Sequence, residues 1–298
     1  MEETNNIDKS YAEIAPSINE TRRFLRVFFG RKLVIIGTVI ILLLILTAVF
    51  APWLAPYNPY ELDTNASLQN ASSTHLLGTD SIGRDTLSRL IYGTRTSLLV
   101  GLISVGIAGV LGITLGLLAG YAGGFTYTVI MRAMDTLISL PVILLALVIT
   151  AALGGGIYNL MIALGISISP IYARVMCAEC LSIKQNEYIL AARSIGVKPI
   201  NIMFRHILPN GFAPLLVMIT MQLGFAILAE SSLSFLGLGV TPPQAAWGAM
   251  VSAGYPYLTS NPLLSFAPGV AIILVVFAFN MVGDGLRDTL DPRLRGNL

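Results

Sequence analysis

The chain has 298 residues, of which 55% are hydrophobic and only 11% charged, and its mean hydropathy is +0.76. Soluble domains carry about 25% charged residues, so a water-soluble globule is excluded, and a formal net charge of +2 is too small for a nucleic-acid binder. Two cysteines and two histidines leave no disulfide scaffold and few ligands for zinc or haem.

Residues 1–32 form a polar leader that turns basic at Arg22, Arg23, Arg26, Arg31 and Lys32. The leader and the 19-residue charge-free run from Leu33 to Ala51 are both long for a cleaved signal peptide. They predict an uncleaved transmembrane anchor over 33–51. A connector follows over 52–96. Pro52, Pro56 and Pro59 disfavour helix at its start. Farther on, Leu87, Leu90 and Ile91 share one helical face, with Arg84, Asp85, Ser88 and Arg89 around the others. This pattern predicts a short amphipathic helix in the membrane interface. It serves either as a connector or as a docking surface for an extracytoplasmic partner.

Ser97 to Ala122, 26 residues without a charge, predicts a second span. Gly109, Gly112, Gly116 and Gly120 within it include the four-residue spacing of close helix packing in lipid, not a nucleotide-binding fingerprint. The 123–135 stretch reads as a short cytoplasmic turn, with Arg132 and Asp135 as interface anchors. Thr136 to Ala173 is charge-free over 38 residues, enough for two spans turning at Gly154, Gly155 and Gly156, with Pro170 interrupting the second.

Residues 174–210 predict two short helices meeting at a Gly196 corner, with Pro199 in the first turn of the second and Pro209 at its end. Such a loop is either an interfacial hairpin or a rigid handle for a cytoplasmic partner. Cys177 and Cys180 form a lone C-x-x-C pair without the second pair that a zinc site needs. Gly211–Ala229 and Phe266–Val282 complete a count of six spans. Between them, 231–265 lacks any charge yet holds Pro242, Pro243, Trp247, Gly248, Gly254, Pro256 and Pro262. It either dips back into a protein-lined cavity or is held at the interface by Trp247, Tyr255 and Tyr257. Glu230 is the sole acid between Glu187 and Asp284. It is expected to line the outer part of a translocation path if span five continues past it, and to be interfacial if the span ends at Ala229.

Fifteen of the 18 lysines and arginines fall on one side if the N-terminus is cytoplasmic, leaving Arg84, Arg89 and Arg95 outside. The positive-inside rule therefore places both termini in the cytoplasm.

Ala191-Ala192-x-x-x-Gly196, followed by Leu208-Pro209, resembles the EAA motif of inner-membrane permeases of binding-protein-dependent ABC importers. The run from Gly78 to Gly93, Leu233–Gly239, Trp247-Gly-x-Met250 and Asn280–Pro292 resemble the dipeptide/oligopeptide/nickel subfamily, in its C-type subunit. The likeness runs from about residue 24 to the end. Two motif positions depart: Leu190 stands for the glutamate and His206 for the isoleucine.

The resemblance implies an all-α, polytopic membrane protein of six transmembrane helices with the MetI-like fold of type I ABC importers. The transmembrane core would cover 97–285, with a coupling loop at 174–210 and a cytoplasmic tail at 286–298. It implies a bacterial or archaeal cell membrane, and partners comprising a second, B-type permease, two cytoplasmic ATPases and an extracytoplasmic binding protein. The implied cargo is dipeptides or oligopeptides; nickel or another small solute is the alternative. Ala191, Ala192, Arg193, Gly196, Leu208 and Pro209 are the implied ATPase-coupling residues. Asp284, Arg287 and Asp288, after the last span, are read as a brace for the ATPase contact or as a soluble tail.

No Walker A sequence is present, so this chain is expected to hold no cofactor and to be no enzyme, ATP and magnesium belonging to the partner ATPases. An intramembrane serine protease would need a base near Ser231, Ser232 or Ser234, yet His206 is predicted on the opposite side and His75 in the connector. An ion-coupled secondary transporter is the stronger rival, since broken helices and a buried acid are expected there too.

Overall fold

A computed structural model describes residues 20–290. The polar leader before residue 20, and Pro292, Arg293 and Arg295 of the tail, lie outside these residues. Among the described residues the regular structure is helical, with a single isolated bridge between Thr79 and Asp85. Five helices are long and apolar enough to cross a membrane, and a bent pair makes a sixth span.

Helix α1 (Glu20–Phe28) leads into α2 (Lys32–Val49), the anchor. Nearly all of α2 is apolar and most of it is exposed, as suits a helix facing lipid. It meets the rest of the molecule along one line: a Cβ on Gly37 would lie 2.9 Å from the Ala278 carbonyl. A short α3 (Ala51–Leu54) ends the anchor, and an irregular loop runs to α4 (Thr86–Ala122).

Helix α4 is continuous over 37 residues, about 55 Å. The amphipathic helix expected within 52–96 is thus the first turns of the second span, not a separate interfacial element. Arg84 and Arg89 are buried there rather than facing water. Those polar turns pack against protein loops, so charge did not end the helix.

Next come α5 (Gly124–Ile138) and α6 (Val142–Ala152), bent by 93° at a break that contains Pro141. The 123–135 stretch is therefore helical, not a turn. Its Asp135 carboxylate accepts a bond from the Arg174 guanidinium of the neighbouring helix at 2.6 Å. At 11 residues, α6 reaches only about 16 Å, so the third span needs both halves of the bend.

The three glycines 154–156 all have positive φ and make the predicted turn into α7 (Ile157–Ile183). Helix α7 passes through Pro170 unbroken. Proline removes the bond to the carbonyl four residues back, here that of Ile166. The Ser169 hydroxyl donates to that same carbonyl at 2.9 Å, so the helix loses no hydrogen-bonded acceptor.

Helices α4 and α7 are the packed centre. Gly112, Gly116 and Gly120 of α4 abut α7: a Cβ on Gly112 or Gly116 would run into the Ser169 or Ala173 carbonyl, and one on Gly120 would lie 2.8 Å from the Cys180 Cβ. Gly165 of α7 returns the contact against Ile107. Cys177 and Cys180 are buried, free thiols of this helix pair. Gly109 has no such neighbour.

After the 184–211 loop, which holds the short helices α8 (Glu187–Ser194), α9 (Pro199–Asn201) and α10 (Leu208–Asn210), α11 (Phe212–Phe235) runs back across. Then α12 (Trp247–Gly254) folds back between the long helices, and α13 (Leu263–Leu290) closes the bundle. Of the two readings of 231–265, the dip into protein holds for α12: Trp247 is 1% exposed and donates from Nε1 to the Leu90 carbonyl at 3.0 Å. Tyr255 does stay exposed.

Candidate functional site

The loop between α7 and α11 is a compact helical hairpin. Helix α8 (Glu187–Ser194) ends at Gly196, whose φ of +80° reverses the chain at no steric cost. The Gly196 and Val197 amides donate to the Arg193 and Ala192 carbonyls at 3.0 and 3.1 Å. Pro199 then opens α9 (Pro199–Asn201), which runs through a π-helical turn (Ile202–Ile207) into α10 (Leu208–Asn210). Gly211 lets α11 begin against α7, where a Cβ would lie 3.1 Å from that of Glu179.

Burial divides the loop into a root and a crown. Ile189, Ile202 and Ile207 are fully buried in the same core cluster as Met176 and Ile183 of α7. Tyr188, Leu190, Ile195, Ile200 and Phe204 are exposed, and Ile195 most of all at 81%. The element is thus tied to the bundle on one face and offers apolar side chains on the other, as a docking surface must.

The six sequence-predicted residues separate along this division. Ala191, Gly196 and Pro209 lie on the exposed side, while Ala192, Arg193 and Leu208 are half-buried. Arg193 turns inward: its guanidinium carbon lies 5.0 Å from the centre of the Tyr121 ring at the end of α4. The Lys184 ammonium lies 5.6 Å over the same ring and donates to the Tyr121 and Gly120 carbonyls at 2.7 and 3.4 Å. Tyr121 was not legible as part of this site, because it is some 60 residues away in sequence.

The three residues of the suggested brace do different things. Asp288 pairs with Arg31, which joins α13 to the start of α2. Arg287 lines a cavity of 590 Å³ with Glu179, Asn210, Met218 and Met221, beside the root of the hairpin. Asp284 is exposed.

At the opposite end of the bundle Glu230 is fully buried within α11. The Ser97, Ser231 and Ser234 hydroxyls donate to its carboxylate at 3.4, 3.2 and 2.8 Å. Ser234 Oγ also accepts from the Val240 amide at 3.1 Å. The span does continue past Glu230, and in this conformation the side chain is enclosed between α4 and α11.

Nearby, Arg89 joins two loops, 55–85 and 236–246. Its Nη1 donates to the Pro59 and Pro243 carbonyls at 3.0 and 3.4 Å, and its Nε lies 3.7 Å from Asp80. Asp85 caps α4 by accepting from the Ser88 amide at 2.7 Å, and its other oxygen meets His75 Nδ1 at 2.9 Å. Sequence reasoning missed this clasp. The signal was the gathering of Asp80, Arg84, Asp85 and Arg89 within ten residues of a chain otherwise poor in charge. No group of three or more His, Cys, Asp or Glu side chains is placed to hold a metal among the described residues. His206 lies in the turn that precedes α11, and Ser231, Ser232 and Ser234 lie near the far end of that helix, with about 28 Å of helix between Phe212 and Ser231, so they form no catalytic pair.

Residues 112–296 match the family model described as "Binding-protein-dependent transport system inner membrane component", and residues 20–72 match "N-terminal TM domain of oligopeptide transport permease C". The dipeptide transport system permease protein DppC of Alkalihalophilus pseudofirmus is 44% identical over 89% of this chain and 87% of its own length. The glutathione transport system permease protein GsiD of Pectobacterium atrosepticum is 42% identical over 92% of this chain and 91% of its own. The di/tripeptide transport system permease protein DppC of Pseudomonas aeruginosa is also 42% identical, over 92% of each chain. Among solved structures, a chain of the inward-facing MetNI methionine ABC transporter superposes with a TM-score of 0.56. It shares 20% identity and covers 67% of this chain and 96% of its own, a likeness that concerns the fold.

Proposed function

The chain belongs to the family of binding-protein-dependent transport system inner membrane components, and from that premise we propose that it is the C-type permease of a peptide importer, moved through its 174–210 loop by cytoplasmic ATPases. Family membership removes the ion-coupled carrier from consideration. Dipeptides or oligopeptides are favoured as cargo over nickel, because the named relatives carry dipeptides, di- and tripeptides or glutathione in their names. The partners in this reading are a B-type permease beside it, two ATPases below and a binding protein outside. Both termini face the cytoplasm, as the fifteen-to-three division of basic residues favours. The chain itself performs no catalysis; ATP and magnesium are held by the ATPases.

The observation that carries the coupling role is the two-sided hairpin: a buried root of Ile189, Ile202 and Ile207 beneath an exposed apolar crown around Ile195. A rooted element moves its helices when its crown is pulled, which is what a two-state transporter needs. Ala191, Gly196 and Pro209 sit on the contact side, and Ala192 and Leu208 seat the hairpin. Glu230 belongs to the outer part of the path and meets cargo only when α4 and α11 part. Asp288 and Arg287 brace α13 beside the loop, with Asp284 free to meet the ATPase.

Cross-linking from Ile195→Cys in the intact assembly tests the reading. The ATPase is the expected product, and a cross-link only to lipid or to the second permease would overturn it. Competition of uptake by defined dipeptides against nickel decides the cargo. Unchanged uptake and cargo profile in Glu230→Gln would remove Glu230 from the path.

A further inference from the structure

We infer that Tyr121 is the joint through which the coupling loop drives α4, and that α4 carries the displacement to the outer face. The inference rests on the coupling-loop reading above. It reassigns Arg193 from ATPase contact to positioning residue.

Three observations meet at Tyr121. First, two of the four basic residues of the 184–211 loop lie over its ring, the Lys184 ammonium at 5.6 Å and the Arg193 guanidinium at 5.0 Å. Cations favour the negative face of an aromatic ring. Second, Lys184 also binds the carbonyls of Tyr121 and Gly120, the last turn of α4, where a helix is electronegative. Third, Arg193 Nε is buried without a hydrogen-bond partner. The guanidinium is thus turned to the Tyr121 ring rather than to the exposed crown that meets a partner.

Helix α4 is suited to relay the motion. It is unbroken from Tyr121 to its cap at Asp85, and its glycines lock it against α7. At the far end it is fastened to the outer structure by the Arg89 bonds to the Pro59 and Pro243 carbonyls and by Trp247 on the Leu90 carbonyl. A shift at Tyr121 therefore reaches the outer loops without crossing a break, since the helix is continuous and holds no proline.

The test uses the assembled transporter, with both permeases and two ATPases, in lipid nanodiscs. Ile82→Cys, at a position 40% exposed in the loop whose Asp80 lies 3.7 Å from Arg89 Nε of α4, is labelled with a hydrophilic maleimide. The native thiols at 177 and 180 are buried. Trapping with ATP and vanadate is expected to change the labelling rate roughly fivefold, the low end of allosteric coupling. Tyr121→Leu should abolish that change while ATPase co-purification and ATP hydrolysis persist, and Tyr121→Phe should keep it. A full response in Tyr121→Leu would overturn the joint. If that variant fails to assemble, the paired change Lys184→Gln and Arg193→Gln, which keeps the ring, is expected to lose the response, and a full response there overturns the joint equally. A silent Ile82→Cys in the parent, with ATPases bound and cross-linked to Ile195→Cys, overturns relay through α4 alone. Absence of the ATPase cross-link would instead defeat the coupling-loop reading beneath it.

Discussion

Glycines recur along α4 at helical spacing, at 109, 112, 116 and 120, yet the four positions are not equivalent. A methyl group on Gly116 would run into the backbone of Ala173, whereas one on Gly109 would find only Ile113 at 4.0 Å. Gly116→Val should therefore cost about 1–3 kcal/mol through overpacking, read as a lower thermal unfolding midpoint in detergent. Gly109→Ala should be neutral or stabilising by up to roughly 1 kcal/mol, because alanine is the better helix former. Equal midpoints for the two variants would refute the assignment of the α4–α7 groove. The sequence made the packing role of these glycines legible through their period. It did not say which one lies off the groove, since that depends on where α7 crosses. Arg193 teaches the same lesson, its place in the motif being legible while the ring it seeks comes from a distant helix.

Apolar runs mark where helices lie far better than where they end. The first, second, fifth and sixth spans were all legible, because a bilayer requires long charge-free stretches. The polar turns that prolong α4 back to Thr86 were not, since charge alone cannot distinguish water from a protein-lined pocket. The same blindness turned 123–135 into a loop, although Asp135 is paired with Arg174 within a helix bundle. Pro170 was read as a break, but the adjacent hydroxyl repairs it. That repair can be measured. Ser169→Ala should leave the Ile166 carbonyl without its donor at 2.9 Å and cost about 1–3 kcal/mol for a buried unsatisfied group. Pro170→Ala restores the backbone donor, and in that background Ser169→Ala should cost far less. A double-mutant cycle in thermal stability checks the coupling, and additive effects would show that the serine plays no such part.

At the scale of the molecule, two fastenings hold one long helix, and they differ in kind. The inner one sets two cations over the Tyr121 ring and adds the Lys184 bonds to the last carbonyls of α4. The outer one is directional, with Arg89 bonded to carbonyls contributed by two loops far apart in the chain, Pro59 and Pro243. A helix fastened in this way at both ends suits one that carries a displacement of the coupling loop to the outer loops. Arg89→Met should leave Pro59 and Pro243 carbonyls unpaired and cost about 1.5–3 kcal/mol, the range for hydrogen bonds to charged groups. Arg89→Lys should recover only part of this, because an ammonium does not match the planar guanidinium fork. The protein supplies its own reporter, having two tryptophans, of which Trp53 is 78% exposed and Trp247 1%. In a Trp53→Phe background the emission comes from Trp247, bonded to Leu90 one residue beyond Arg89. Opening the clasp should admit water to that indole, so Arg89→Met is expected to red-shift its emission and to increase proteolysis within 55–63 and 240–246. An unshifted spectrum with unchanged proteolysis would mean that Trp247 and the glycine contact at Gly93 hold the outer end unaided.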